Sequence, residues 1–236
     1  MSHSIVINDE WKEITDTKIV IDNEWKDVNI IQAVVDNEWK NVYTKEAVLW
    51  DANNKHADVV LSDSDLTAGW DGADHVFGQV LATLGKNSGK WYFEVSIVVS
   101  PVIYANCSVG VQNGDESLSV YIGDTVDGWG YMRNARFYNS SLTYPDDSPT
   151  FGNDDVIMIA VDMDSGYIWF GKNGVWLPVS ASSPNPATGT DPHYTNLTDT
   201  IYPAFCPYHT SWYGTAHFKS SDMDYTIPSG FSAWEV

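Results

Sequence analysis

The chain is poor in positive charge. Twelve lysines and arginines stand against 32 aspartates and glutamates in 236 residues, a formal charge of 12 − 32 = −20, and arginine occurs only at Arg133 and Arg136. Nucleic acid and anionic lipid are held by a basic face that this composition does not supply, so neither is expected as a partner. Cysteine is as scarce. Cys107 and Cys206 are too few for a disulfide scaffold in a chain of this length, and each lies in an apolar stretch where a buried free thiol is expected. No apolar run approaches the roughly 20 residues that cross a bilayer. Met1–Glu10 has neither a basic n-region nor a long h-region, so no signal peptide is expected and synthesis in a cytosol follows.

What is present is apolar and aromatic. Hydrophobic residues make up 43% and aromatics 14%, too much for a disordered chain, so a packed core is expected. The length suits one domain of roughly 180 residues with an appendage, or two small domains.

The appendage is visible as a repeat. Ile5–Ile14, Ile19–Val28 and Ala33–Val42 align without gaps, and their tryptophans, Trp11, Trp25 and Trp39, fall at a strict period of 14. Each block reads as a β-branched strand, an Asn/Asp-rich turn and a second short strand, since Asn and Asp tolerate the left-handed backbone of tight hairpin turns. An isolated two-stranded hairpin is marginal in water, so each must pack on something else. A small meander against the rest of the chain is one solution. An attachment arm that buries Trp11, Trp25 and Trp39 in another protein or a second copy is the other, and it is favoured because tryptophan is enriched among interface anchors. Residues 1–46 are accordingly assigned to the arm and 47–236 to the main domain.

From Ala47 onward short strand patterns alternate with turn chemistry, and no helical period stands out. Trp91–Ile97, Cys107–Val111 and Ser119–Ile122 read as short strands. Val156–Val161 is a continuous apolar run, suited to a central strand covered on both faces. Asp162–Gly166 and Asn173-Gly174 supply hairpin turns around Tyr167–Phe170, and Ile201–Phe205 and Gly214–Phe218 complete the series. Such spacing defines an antiparallel sandwich or barrel.

These residues carry a family resemblance. Gly89–Val95 is similar to the opening strand of SPRY domains, Asn153–Gly166 with Ile168–Val175 resembles their central hairpins, and Tyr202-Pro203-Ala204 resembles their late strand. Leu49–Asp51 with Val60–Ser62, and the closing Ile227–Phe231, are similar to the version found in bacteriophage structural proteins. The resemblance spans about residues 47–236. It implies an all-β fold, an SPRY-like antiparallel β-sandwich preceded by three short β-hairpin repeats. It also implies ligand binding through loops at one end and no catalytic machinery. Two features depart from the family pattern. The connection 179–200 is longer than usual and is expected to be functional or mobile. Trp212-Tyr213-Gly214 holds one residue more than the Trp-Gly pair of the peptide-binding members.

No motif contradicts a non-enzymatic reading. Asp162-x-Asp164-x-Gly166 lacks the further ligands of a calcium loop and is better explained as a turn. The histidines, His3, His56, His75, His193, His209 and His217, show no zinc spacing, and there is no nucleophile elbow or phosphate loop. No acidic pair is singled out for glycoside hydrolysis. Neither a metal nor a cofactor is expected. The candidate ligand residues are Trp129, Tyr131, Arg133 and Arg136 in one segment, and Tyr208, His209, Trp212 and Tyr213 in another, because Trp, Tyr and Arg dominate binding hot spots. Some of these aromatics are also expected to fill the sandwich, since alternate strand residues point inward.

The expectation is a phage virion protein that is homo-oligomeric, with a trimer among the forms considered. Residues 1–46 would dock to other virion proteins, and the sandwich loops would contact a host surface protein or glycan. A capsid decoration or head-fibre protein without a receptor role is the competing reading. An intracellular peptide-binding adaptor is the third, and it leaves the tryptophan repeat without a purpose.

Overall fold

The structure, a computed structural model, describes residues 47–99, 106–140, 149–179 and 183–236 with their side chains, and backbone strands within residues 3–44 and at 142–143. Two compact units divide the chain, Met1–Ala47 in one and Val48–Glu235 in the other.

In the first unit the strands are β1 (His3–Ile7), β2 (Glu10–Ile14), β3 (Lys18–Ile21), β4 (Glu24–Asp27), β5 (Ile30–Val35) and β6 (Glu38–Thr44). They pair consecutively as three separate two-stranded antiparallel sheets. The register is the same in each at the repeated position: Trp11 opposite Val6, Trp25 opposite Val20, and Trp39 opposite Val34. What the three indole side chains touch lies outside the described residues.

The second unit holds β7 (Trp50–Lys55), β8 (Val59–Ser62), β9 (Thr67–Trp70), β10 (Val80–Ala82), β11 (Lys90–Val99), β12 (Ser108–Gln112), β13 (Gly128–Met132) and β14 (Arg136–Asn139). They are followed by β15 (Leu142–Thr143), β16 (Val156–Asp162), β17 (Tyr167–Lys172), β18 (Val175–Trp176), β19 (Tyr202–Cys206), β20 (Trp212–His217) and β21 (Ser232–Ala233). One sheet runs β15-β14-β13-β12-β19-β10-β7, and the other runs β18-β17-β16-β11-β20-β9-β8 with β21 added parallel to β11. All other pairings are antiparallel, the sandwich that the strand spacing predicts.

Side-chain alternation builds three apolar layers. Along β16, Ile157, Ile159 and Val161 join the interior between the sheets, while Met158 and Ala160 join Tyr92 and Trp169 on the outer face. That outer face is covered by the C-terminal stretch carrying Met223, Tyr225, Ile227 and Phe231, so the continuous apolar run of β16 is buried on both sides. The stretch is fastened by Glu94, fully buried, which accepts from the backbone N–H of Asp224 (2.8 Å) and of Tyr225 (3.0 Å) and from the Tyr92 hydroxyl (2.5 Å). On the other sheet the connection 113–127 places Ile122 and Leu118 over Leu81, Ala204 and Cys206. Cys107 packs in the interior and Cys206 in this outer layer, so the two free thiols face opposite sides of one sheet.

The turns use the expected chemistry. Asn173 (φ 50°) and Gly174 (φ 82°) both take left-handed backbone between β17 and β18, as a two-residue hairpin turn requires. Asp162 is committed to the fold. Its carboxylate pairs with Lys90 at 2.9 Å and accepts from the N–H groups of Asp164 and Ser165, and together these donors hold its pKa below the usual carboxylate range although burial pushes it upward. Within the connection 179–200, residues 183–200 are neither a lid nor a free loop. His193, Tyr194 and Leu197 are buried, Trp169 Nε1 donates to the carbonyl of Thr190 (2.8 Å), and Tyr194 bridges Ile168 of β17. The extra length supplies core side chains alongside β17.

Candidate functional site

β19 ends in one sheet and β20 begins in the other, so residues 207–211 cross one end of the sandwich. The register shows what joins them there. Ser108 lies opposite both Cys206 and Met132, Val80 opposite Phe205, Val99 opposite Trp212, and Gly69 opposite Tyr213. The connection 71–79 and the turn 133–135 therefore emerge at the same end as 207–211.

The two connections are fixed to each other. The backbone N–H of His75 donates to the carbonyl of Tyr208 (3.0 Å), with His75 held at φ 69°. The carboxylate of Asp74 meets His209 Nε2 at 3.1 Å and lies 3.4 Å from the Thr210 N–H and hydroxyl. His209 Nδ1 accepts from the Ser211 N–H (3.1 Å), so Nε2 carries the proton directed at Asp74. Ring contacts continue outward: His75 to Tyr208 at 5.4 Å, Phe77 to Tyr208 at 4.4 Å, Phe77 to Tyr121 at 5.4 Å and Tyr121 to Tyr138 at 5.1 Å. Burial, with a hydrogen bond to Asp124, pushes the Tyr121 hydroxyl up to about 12. Phe77, Tyr121, Tyr138 and Tyr208 are each half-buried, so this ladder of rings reaches the surface.

The predicted residues separate by burial. Tyr213 points outward, 37% exposed, and its ring lies across Gly69, where an added Cβ would come within 2.5 Å of it. Arg133 is half-buried; its backbone N–H donates to the carbonyl of Cys107 (2.9 Å), and its guanidinium carbon stands 5.5 Å from the centroid of the Trp212 ring. Tyr208 and His209 sit in the crossing itself, and Arg136 lies on β14 facing solvent. Arg133, Tyr208, His209 and Tyr213 are thus brought to one end.

Three expected contact residues are corrected to core. Trp129, at 1% exposure, is in the interior with its Nε1 donating to Asn196 Oδ1 (3.0 Å). Tyr131 is fully buried, stacks on Phe137 at 4.8 Å and donates its hydroxyl to the carbonyl of Pro149, and burial drives its pKa far above the ordinary range. The Trp212 ring, 1% exposed, belongs to the same interior cluster. The inward face of each strand claims these rings. Asp74, His75 and Phe77 were not among the predicted residues. Their sequence signal is the pair Gly72 and Gly78, needed because both backbone positions press on the Trp70 indole, where a Cβ would approach to 2.6 and 2.1 Å.

Among the described residues no group of three or more His, Cys, Asp or Glu side chains could hold a metal ion, and no helix is long and apolar enough to cross a membrane. Burial pushes the Cys107 and Cys206 thiols upward, toward the inert protonated form. The geometry offers a rigid aromatic and polar surface at one end of a β-sandwich, the makings of a binding domain.

Comparison with known proteins gives that class its family. Residues 90–218, more than half of the chain, match the SPRY domain family, and the chain belongs to it. The match is narrower than the span over which the resemblance is legible, leaving both flanks outside. SPRY domains are commonly protein-binding modules and generally not catalytic. The crystal structure of the SPRY domain of human HERC1 is similar at a TM-score of 0.56 and 20% identity, over 74% of this chain and 98% of that one. A second crystal structure of a human SPRY domain gives a TM-score of 0.54 and 21% identity, over 70% and 96%. At such identities the likeness speaks to fold. No curated protein matches the chain in sequence.

Proposed function

We propose that this protein is a structural component of a bacteriophage particle and binds a host surface protein through the loop end of its SPRY domain. The observation that carries the binding reading is the meeting of Phe77, Tyr208, Tyr213 and Arg133 at one end, on connections tied together by Asp74 and by backbone hydrogen bonds. Rigid aromatic rings and a planar guanidinium bury area at low entropic cost, which is what interface hot spots require. The particle reading rests on the residues that resemble phage structural proteins and on the repeated tryptophans. Residues 1–46 serve as the attachment arm, with Trp11, Trp25 and Trp39 as its anchors, and the assembled form is a homo-oligomer. The net charge of the sandwich supports display: residues 49–236 carry 22 acids and 7 bases, −15 of the total −20, which keeps neighbouring copies apart and soluble.

The test is competition. Purified full-length protein, incubated with host cells at saturation, should block particle adsorption, and Tyr213→Ala combined with Phe77→Ala should remove the block. Absence of protection by the wild-type protein would assign the chain to shell decoration instead. A particle assembled with protein lacking residues 1–46 should carry none of it.

A further inference from the structure

In a chain with 32 carboxylates, Arg133 makes no ion pair or hydrogen bond through its guanidinium among the described residues, and its Nε is buried without an acceptor. The ring it covers is in the same condition, since Trp212 Nε1 is also buried and unpartnered. Buried donors without acceptors are uncommon, and each costs free energy. Three others of these atoms, on Trp50, Gln112 and His193, belong to fully buried side chains. Arg133 differs from these three in being charged, half-exposed and at the loop end.

We propose that Arg133, whose guanidinium lies beside the Trp212 ring, is the anchor for a carboxylate of the bound protein, an Asp or Glu side chain or a chain terminus. The inference rests on the protein-binding reading and names the chemistry that reading leaves open. The indole beside it restricts where the guanidinium can sit, and the planar fork of donors is matched by the two oxygens of a carboxylate. The domain's negative charge does not forbid this. At physiological ionic strength charges farther than about 8 Å are largely screened, so the nearest cation decides, and here it is a guanidinium with no partner among the described residues. The anchor also explains selectivity: a neutral carbonyl can accept from the guanidinium but leaves its charge unmatched, whereas a carboxylate supplies both acceptor and charge.

The two-arginine sequence makes the test direct, because the Arg Nε–H region of a nitrogen–proton correlation spectrum holds only two cross-peaks for the full chain. The probes are N-acetylglutamate α-amide for a side-chain carboxylate, N-acetylalanine for a terminal one, N-acetylglutamine α-amide as the neutral control, and glucuronic acid for an acidic sugar. Titration with either of the first two should move the Arg133 Nε–H and Trp212 Nε1–H signals together, with the neutral control inert. Whichever amino-acid carboxylate binds more tightly identifies the source. Arg133→Lys keeps the charge but loses the fork and should weaken binding by about tenfold or more, the factor that 1.4 kcal/mol represents. Equal response to the neutral amide, no response to any carboxylate, or undiminished binding by Arg133→Lys overturns the proposal. Response to glucuronic acid alone overturns it in favour of a glycan. If the anchor fails while the Tyr213 and Phe77 substitutions still abolish competition for adsorption, only the carboxylate assignment is lost. If those substitutions leave competition intact, the loop-end reading itself fails.

Discussion

The connection 113–127 and the crossing 207–213 treat their polar groups in opposite ways. In 113–127, the carboxylate of Glu116, 4% exposed, accepts from the N–H groups of Gly123 and Thr125, from the Thr125 hydroxyl and from Gln79 Nε2. Asn113 and Asp127 close the neck of the same connection at 3.0 Å. At the loop end, by contrast, Trp212 Nε1 and the neighbouring Arg133 Nε find no acceptor among the described residues, and Tyr213 is 37% exposed. The connection 113–127 meets these groups internally. The loop end, where we propose a partner binds, keeps donors that the fold itself does not use. The contrast separates stability from recognition, and substitutions on the two sides should fall into two groups.

The largest effect is expected from a residue that the sequence places with the binding groups and the structure places with the core. Trp129→Ala removes a buried indole and its bond to Asn196, and should cost about 3–5 kcal/mol of folding free energy by chemical denaturation. A loss below 1 kcal/mol would mean that the ring is not a core side chain. Next comes Glu116→Ala, which strands several buried donors at once. At about 1 kcal/mol for each, the loss is about 3 kcal/mol. Burial raises the Glu116 carboxyl pKa against the pull of its donors, so its ionised form is strained. Its contribution to stability is greatest below the ordinary carboxylate range and declines as pH rises through the raised value.

The third effect depends on pH. His193 is fully buried between Phe137 (4.1 Å) and Phe170 (5.2 Å), and burial lowers its pKa from 6.5 to about 3. Its Nδ1 accepts from the Phe170 N–H at 3.2 Å, so the neutral ring is the one the fold needs. With the folded value depressed, the stabilisation is complete above pH 6.5 and is lost as pH falls toward 3, because the unfolded chain binds the proton first. Between pH 6.5 and 5 that amounts to about 2 kcal/mol, at 1.36 kcal/mol per unit. Urea denaturation of wild type and His193→Leu at pH 7 and pH 5 should show the gap between them narrowing by that amount. A constant gap would contradict a neutral buried ring.

How much of this was legible in the chain depends on what each signal encodes. The Asn173-Gly174 turn and the Val156–Val161 run were readable because backbone sterics and two-sided burial each leave a local mark. Which face of a strand turns inward was not. Alternation groups Trp129 with Tyr131 and separates Trp212 from Tyr213, yet a shift of one residue exchanges inside and outside. Where neighbours are both large aromatics, as at Trp212-Tyr213, no polarity difference settles the choice. The docking of His75 and Phe77 on Tyr208 joins segments more than 130 positions apart, which no local pattern records. Residues 183–200 read as an excess because the core space they fill is set by β17, not by their own composition.

The smallest effect on stability should accompany the sharpest effect on binding, at Tyr213. Its ring rests on Gly69 across the pair β20–β9 and contributes little to the interior, so Tyr213→Ala should change folding free energy by less than about 0.5 kcal/mol. The same substitution removes exposed, rigid aromatic area from the loop end and should reduce competition for adsorption about tenfold, as loss of a hot-spot side chain does. Gly69→Ala approaches the same ring from beneath. The backbone at Gly69 is not in the left-handed region, so alanine fits the chain there, but its Cβ requires the Tyr213 ring to move. If the position of the ring matters and not merely its presence, Gly69→Ala should lower competition with Tyr213 still in place. If Gly69→Ala competes as well as wild type while Tyr213→Ala does not, the ring acts through contact area that tolerates displacement. If both compete normally, Tyr213 is surface, and the boundary between fold and recognition must be redrawn to exclude β20.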